Sequence, residues 1–211
     1  MRPIKELVRR EVLNFQPYIP GMPVEELKKK YNIKGRIVKL ASNENSIGVS
    51  PSVVNAIKKS LQGIYRYPEG SSSILKEAIA KKLKINPEEV IVGSGTDELI
   101  ELIGKCFFNP NDEIIVSEHA FIRYKMAGDL MGARVIPVPM KNFTHDLNAM
   151  AKAVNPKTKA VFVANPNNPT GTYNTKDEVE SFLNSLLTTH YSLLTIFDEA
   201  YYEYARVQND Y

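Results

Sequence analysis

An acidic residue at the end of an apolar segment is the first candidate for chemistry. Asp198 closes the apolar run of residues 192–198, and the phenol of Tyr201 follows three residues later. If this run is a buried strand, the carboxylate emerges at the end of a sheet, where it must be paired or hydrogen-bonded to persist as an anion. A helix cap or an ion-pair partner would account for Asp198 alone, so its role depends on the segments that meet it.

A stiff polar loop at residues 165–171 is the second candidate. Its sequence, Asn-Pro-Asn-Asn-Pro-Thr-Gly, follows the apolar run of residues 160–164. The prolines restrict the backbone, the asparagines supply amide donors, and the glycine can adopt a positive φ. The segment predicts either an ordinary polar turn or a ligand-binding loop in which Asn168 is a donor.

A glycine-containing turn at residues 93–98 leads into a predicted helix. Its sequence, Gly-Ser-Gly-Thr-Asp-Glu, lies between the apolar run 90–92 and the helical pattern 99–108. A helix N-terminus presents unpaired N–H groups and the positive end of the helix dipole, so it can bind an anion such as phosphate. Simple capping by Thr96 or Asp97 is the alternative. The glycine spacing of dinucleotide-binding folds and the lysine of a P-loop are both missing from this turn.

Together these segments supply the parts that pyridoxal phosphate requires. They offer the anion site at residues 93–98, the aromatic ring of Phe121, the amide of Asn168, the carboxylate of Asp198 and the phenol of Tyr201. This cofactor needs phosphate capture, a ring to stack on, donors to its phenolic oxygen, and an anion that keeps its pyridine nitrogen protonated. The set therefore indicates a pyridoxal-phosphate site.

The elements that must position these residues alternate along the chain. Helical patterns cover residues 24–31, 51–62, 73–83, 99–108, 122–132, 147–154 and 176–187. Short apolar runs predict strands at residues 37–41, 90–92, 113–117, 134–138, 160–164 and 192–198. Strands separated by helices of about ten residues are typical of an α/β fold with a mostly parallel sheet and helices on both faces. Ligands bind at the carboxyl ends of the strands in such sheets.

Composition and charge argue against several classes of partner. The 211 residues are 43% hydrophobic and carry a net charge of +3, which gives no basis for binding nucleic acid or a membrane surface. There is no membrane-length apolar run and no signal core at the N-terminus, so we expect a cytoplasmic protein. Cys106, the one cysteine, cannot form an internal disulfide and is predicted to be buried. His119, His145 and His190 lack the spacing of metal ligands, so we predict no metal site and expect surface or turn histidines.

The ordered motifs of the chain carry a family resemblance. Asn-Asn-Pro-Thr-Gly at residues 167–171, with Asp-Glu-Ala-Tyr at residues 198–201, resembles the fold-type I pyridoxal-phosphate aminotransferases. Four further motifs are similar to the aminotransferases that act on histidinol phosphate: residues 17–21, 43–45, 65–68 and 95–98. The resemblance implies the large domain of that fold, preceded by an N-terminal arm. It also implies transamination of histidinol phosphate with 2-oxoglutarate, a step of histidine biosynthesis.

The resemblance implies roles for four side chains around the cofactor ring. Asn168 and Tyr201 would donate to the phenolic oxygen. Asp198 would pair with the pyridinium nitrogen, and Phe121 would stack on the ring. Asp198 and Tyr201 are therefore the residues expected to take part in catalysis.

Other implied contacts involve the phosphate and the substrate. The backbone amides of Thr96 and Asp97 would hold the cofactor phosphate. In the family, the tyrosine that matches Tyr67 reaches the phosphate of the neighbouring subunit, so the resemblance implies a homodimer. Tyr18 and Asn43 match positions near the substrate. Two segments depart from the family pattern: Ser46 replaces a proline, and residues 118–121 replace Pro-Thr-aromatic.

The resemblance also implies how the chain is divided. Residues 1–45 would form the arm and a small-domain segment, and residues 46–211 a cofactor-binding large domain that is incomplete at its C-terminal end. The family's Schiff-base lysine lies downstream of residues 198–201, and no lysine follows Lys176 here. We therefore expect the N-terminal part of an enzyme, inactive by itself. Three alternatives remain open: an aminotransferase for aromatic or other amino acids, a threonine-phosphate decarboxylase-like enzyme, and an inactive module that binds pyridoxal phosphate or a partner.

Overall fold

A computed structural model describes residues 3–13, 15–18, 21–40, 42–189 and 192–205. The predictions for Ala41, for His190 and for residues 19–20 of the N-terminal motif lie outside these ranges. The chain divides into two compact units, one formed by residues 1–16 with 92–211 and the other by residues 17–91. The predicted boundary at residue 45 falls inside the second unit, and the domain division of the protein stays a prediction.

A four-stranded parallel sheet forms the centre of the first unit. Its strands are β1 (Glu113–Ser117), β2 (Arg134–Val138), β3 (Thr158–Ala164) and β4 (Leu194–Asp198), and they lie in the order β2-β1-β3-β4. Every pair of neighbours is parallel. All four strands were predicted, because each is a short run of β-branched and aromatic residues between turn signals. The predicted mostly parallel α/β fold is confirmed.

Helices cover both faces of this sheet, as predicted. The eight α-helices of the described chain are α1 (Arg10–Leu13), α2 (Val24–Tyr31), α3 (Pro51–Ser60), α4 (Ser73–Leu83), α5 (Gly95–Phe107), α6 (Ile122–Met131), α7 (Leu147–Ala153) and α8 (Lys176–Leu187). Helices α5 and α6 pack on one face with Ile114 and Phe162, and α7 and α8 pack on the other with Ile115 and Val161. Consecutive strand residues thus enter opposite cores, which follows from the two-residue period of a strand.

The second unit contains α2, α3 and α4. Among the described residues of this unit, two hydrophobic side chains are buried, Ala80 and Val90. The strands predicted at 37–41 and 90–92 are wrong for the described residues, which are irregular there. A strand needs a neighbour to pair its backbone N–H and C=O groups. These apolar runs have no ladder partner in the described chain, so apolar character alone does not make them strands.

Three smaller predictions need correction. Helix α5 begins at Gly95 rather than at residue 99, with Asp97 in the first turn, where the helix dipole favours an acid. Cys106 is exposed, because it lies on the side of α5 away from the buried Ile100. His145 is 3% exposed and belongs to the interior. Within the described ranges, none of the helices is both long enough and apolar enough to span a membrane.

Candidate functional site

A cavity of about 280 Å³ opens in the first unit where β3 and β4 end. This position agrees with the rule that ligands bind at the carboxyl edge of a parallel sheet. Its volume is close to the lower end of the range of about 300–1,000 Å³ for small-molecule sites. Six of the predicted cofactor residues line it: Thr96, Asp97, Phe121, Asn168, Asp198 and Tyr201.

The start of α5 forms one wall of the cavity. Gly95 has a φ of +74°, a conformation that favours glycine, and it lets the chain turn directly into the helix. The carboxylate of Glu98 accepts a hydrogen bond from the Ser94 amide. The Asp97 carboxylate forms an ion pair with Arg123, at 3.2 Å between Oδ2 and Nε. The first-turn amides of a helix have no partner within it, so they are available to an anion.

The loop at residues 165–171 is held by two buried asparagines. Asn165 is fully buried, and its side chain exchanges two hydrogen bonds with the backbone of Asn174, at 2.9 and 2.7 Å. Asn167 is 2% exposed and donates to the carbonyl of His119 at 3.0 Å. The neighbouring Asn168 lines the cavity. Two asparagines therefore fix the loop, and the third is presented to a ligand.

Beneath this loop, His145 joins two strand ends. Its Nε2 donates to the carbonyl of Ala164 at 2.8 Å, so its Nδ1 accepts a hydrogen bond from the Ser117 hydroxyl. Burial lowers the pKa of His145, and the hydrogen bond to Ala164 opposes this shift. A neutral imidazole with a hydrogen bond at each ring nitrogen therefore supports the loop from below. In the part of the chain that the structure describes, no three metal-ligating side chains cluster.

Asp198 is half-buried at the end of β4, and two donors hold its carboxylate. The Tyr124 hydroxyl donates to Oδ2 at 2.7 Å, and the Ala200 amide donates to Oδ1 at 3.1 Å. The Tyr124 ring stacks on Phe162, with centroids 4.7 Å apart, and meets Phe121 edge-on at 5.8 Å. Burial, and secondarily the Asp198 carboxylate, raise the pKa of Tyr124, so this phenol stays a donor.

Sequence reasoning missed Tyr124. The available signal was its position in the first turn of the predicted helix that directly follows Phe121, three residues further along the chain. The pairing with Asp198 joins positions 74 residues apart, and single-sequence patterns carry no information about such a contact.

Three predicted residues lie in the second unit. Tyr67 is fully exposed there, Tyr18 is 57% exposed, and Asn43 is exposed as well. Their roles toward a neighbouring subunit or a substrate stay predictions. The roles of the six cavity residues also stay predictions, although the structure brings those six together.

Comparisons with known proteins agree on one family. The family profile described as aminotransferase class I and II matches residues 35–211. Histidinol-phosphate aminotransferase of Moorella thermoacetica is 43% identical over 201 residues, covering 95% of this chain and 51% of that protein. Histidinol-phosphate aminotransferase 2 of Carboxydothermus hydrogenoformans is 43% identical over 205 residues, covering 97% and 56%. The chain therefore spans about half the length of the curated relatives that it matches.

Solved structures show the same likeness. Histidinol-phosphate aminotransferase from Sinorhizobium meliloti, in complex with pyridoxal-5'-phosphate, superposes with a TM-score of 0.79 at 26% identity. The match covers 93% of this chain and 51% of that one. Aspartate aminotransferase from Thermus thermophilus with maleate gives a TM-score of 0.78 at 25% identity, covering 93% and 53%.

Proposed function

The chain belongs to the class I and II aminotransferase family, and on this premise we propose that its cavity binds pyridoxal 5'-phosphate. The donor set supports the proposal. One cavity combines helix-start amides that suit a phosphate, the aromatic wall of Phe121 and the carboxylate of Asp198. Asn168 and Tyr201 add two donors on the same cavity. The presence in one cavity of groups that suit the phosphate, the ring and the ring nitrogen of the cofactor is the observation that carries the proposal.

Each of these residues has a distinct task. Pyridoxal phosphate, when bound, supplies an electron sink for negative charge that develops on the substrate carbon next to the amine. The amides of Thr96 and Asp97 bind the phosphate, and Phe121 packs on the ring. Asp198 holds a proton on the ring nitrogen by opposing its charge. Asn168 and Tyr201 donate to the phenolic oxygen.

For the full-length protein we propose transamination of histidinol phosphate with 2-oxoglutarate. Support comes from relatives 43% identical to this chain, which are histidinol-phosphate aminotransferases. We further propose a homodimer in which Tyr67 reaches the neighbouring cofactor phosphate, with Tyr18 and Asn43 near the substrate. The exposure of Tyr67 leaves its hydroxyl accessible to another subunit. Inactivity of residues 1–211 alone and a cytoplasmic location stay predictions.

The experiment measures cofactor binding and turnover separately. Purified full-length protein is titrated with pyridoxal phosphate, and glutamate formation is then followed with 2-oxoglutarate and either histidinol phosphate or phenylalanine. We expect saturable binding and a preference for histidinol phosphate. Absence of binding would refute the cofactor site, whereas binding with equal turnover of phenylalanine would refute the substrate assignment.

Asp198→Asn tests the role of the carboxylate in the same protein. The amide keeps the shape of the side chain and removes its charge, so transamination should fall by orders of magnitude while the fold is kept. Asp129→Asn is the matched control, since Asp129 pairs with Lys125 outside the cavity lining. Near-wild-type turnover of Asp198→Asn would contradict the pairing with the ring nitrogen.

A further inference from the structure

Tyr124 connects helix α6 to the carboxylate at the end of β4. It is 1% exposed, and its hydroxyl donates to Asp198 Oδ2 at 2.7 Å. We propose that Tyr124 is a positioning residue, which holds Asp198 in the orientation that meets the ring nitrogen of pyridoxal phosphate. The inference rests on the proposed function, because it assigns a purpose to this contact within the same site.

The carboxylate of Asp198 is held at both oxygens. Ala200 donates its amide to Oδ1 at 3.1 Å, and Tyr124 donates to Oδ2. Two donors fix the plane of the group, and each oxygen keeps a second lone pair for a further donor. With the Ala200 contact alone, the carboxylate could rotate about its side-chain torsions. Tyr124 therefore supplies the contact that sets the orientation.

The core in turn determines where the Tyr124 hydroxyl lies. Its ring stacks on the fully buried Phe162, with an interplanar angle of 13°. Phe121, which lines the cavity, meets the Tyr124 ring edge-on at an interplanar angle of 84°. A buried aromatic ring packed in this way has little rotational freedom. One side chain thus links the orientation of Asp198 to the packing of the residue proposed to cover the cofactor.

Removing the hydroxyl has two opposing effects on cofactor binding. An anion that loses a donor becomes more basic, which favours its pairing with a protonated ring nitrogen. A carboxylate that loses a fixed donor also rotates and exchanges its contact for water. Hydrogen bonds to charged groups are among the stronger ones, and a misplaced charge loses its directional partner. We expect the loss of orientation to dominate.

The test compares two ligands on wild-type and Tyr124→Phe full-length protein. One is pyridoxal phosphate, and the other is its 1-deaza analogue, in which carbon replaces the ring nitrogen. We expect equilibrium dialysis to show a dissociation constant raised about tenfold for pyridoxal phosphate, a loss of about 1.4 kcal/mol. The analogue has no nitrogen for Asp198 to meet, so its dissociation constant should change by less than about twofold.

Ser117→Ala is the matched control. It also removes one buried hydroxyl, with its contacts to His145 and Met150, but it lies outside the cavity lining. We expect it to leave the ratio of the two dissociation constants at the wild-type value. For Tyr124→Phe, an equal change for both ligands, no change, or tighter binding of pyridoxal phosphate would overturn the inference. Wild-type protein that binds neither ligand would instead refute the proposed function.

A second measurement does not depend on the stability of the variant. 3-Fluorotyrosine at position 124 keeps both the ring and the hydroxyl. Its ¹⁹F resonance should shift more when pyridoxal phosphate is added than when the 1-deaza analogue is added, because only the former engages Asp198. Equal shifts with the two ligands would contradict a positioning role for Tyr124.

Discussion

Replacing Gly95 by alanine should strain the turn that begins α5. The φ of Gly95 is +74°, and a Cβ built on this residue would have no atom within 4 Å outside its chain neighbours and the nearby backbone of α5. The cost of the substitution is therefore conformational rather than steric. For an L-residue in the left-handed region this cost is about 1–2 kcal/mol. Asparagine adopts that region more readily than alanine, so Gly95→Asn should cost less than Gly95→Ala.

The assay is urea unfolding of the full-length protein at saturating pyridoxal phosphate, since strain in the turn weakens either the fold or the phosphate contacts. We expect stability in the order wild type, Gly95→Asn, Gly95→Ala, with alanine lowering the free energy of unfolding by about 1–2 kcal/mol. Gly63→Ala is the control, because a Cβ there also meets nothing and its backbone lies outside the left-handed region. Alanine at position 95 as stable as glycine, or asparagine less stable than alanine, would refute the reasoning.

Three further predictions concern other parts of the first unit. Arg123→Gln removes the ion-pair partner of Asp97, so binding of pyridoxal phosphate should weaken, whereas binding of pyridoxal, which lacks the phosphate, should stay unchanged. Adding Asp97→Asn should restore the affinity for pyridoxal phosphate, and failure of that rescue would contradict the charge argument. Because burial keeps the folded-state pKa of His145 below 6.5, the unfolded chain binds the extra proton first, and stability should fall as pH drops below 6.5. Unfolding measured at about pH 7.5 and 5.5 should show that His145→Gln loses less stability between the two pH values than the wild type does. An equal loss in the two proteins would contradict this prediction. Gly128→Ala would place a Cβ 2.8 Å from two strand side chains and should lower the free energy of unfolding by about 1–3 kcal/mol. The control is Gly104→Ala, whose nearest contact of 3.5 Å is ordinary. Equal thermal stability of the two variants would refute the packing argument.

The sheet and the main cavity residues could be predicted because their signals are local. Each of the four strands is a compact apolar run; Asp198 is the last residue of β4, and Asn168 lies in the loop that follows β3. Parallel strands bring their carboxyl ends to one edge, so following a strand is enough to predict a shared location. The anion site at residues 93–98, which stays a prediction, rests on equally local features, one turn and one helix start.

The predictions that failed depended on partners far along the chain. The run at residues 90–92 is as apolar as the four strands of the sheet, but a segment becomes a strand only when its backbone pairs with a neighbouring strand. Cys106 was placed inside because it lies in an apolar segment, although it is two residues from the buried Gly104 and so about 200° around the helix. Which face of α5 is covered depends on its contact with α6, where Ala127 lies next to Gly104, and apolar character alone does not show this. His145 was placed at the surface because its two hydrogen-bond partners, Ser117 and Ala164, cannot be inferred from its neighbours in sequence.

The two carboxylates of the cavity are treated differently by the chain, and the difference matches the proposed ligand. Asp97 stands where an anionic phosphate would bind, and Arg123 neutralises it. Asp198 forms no ion pair within the described residues; the neutral donors Tyr124 and Ala200 hold it and leave its charge uncompensated. A half-buried anion without a cation is costly, so it favours a protonated partner. A ligand with a phosphate at one end and a protonatable ring nitrogen at the other suits this arrangement, because its cationic end meets the uncompensated Asp198 and its anionic end lies beside the Asp97 that Arg123 neutralises.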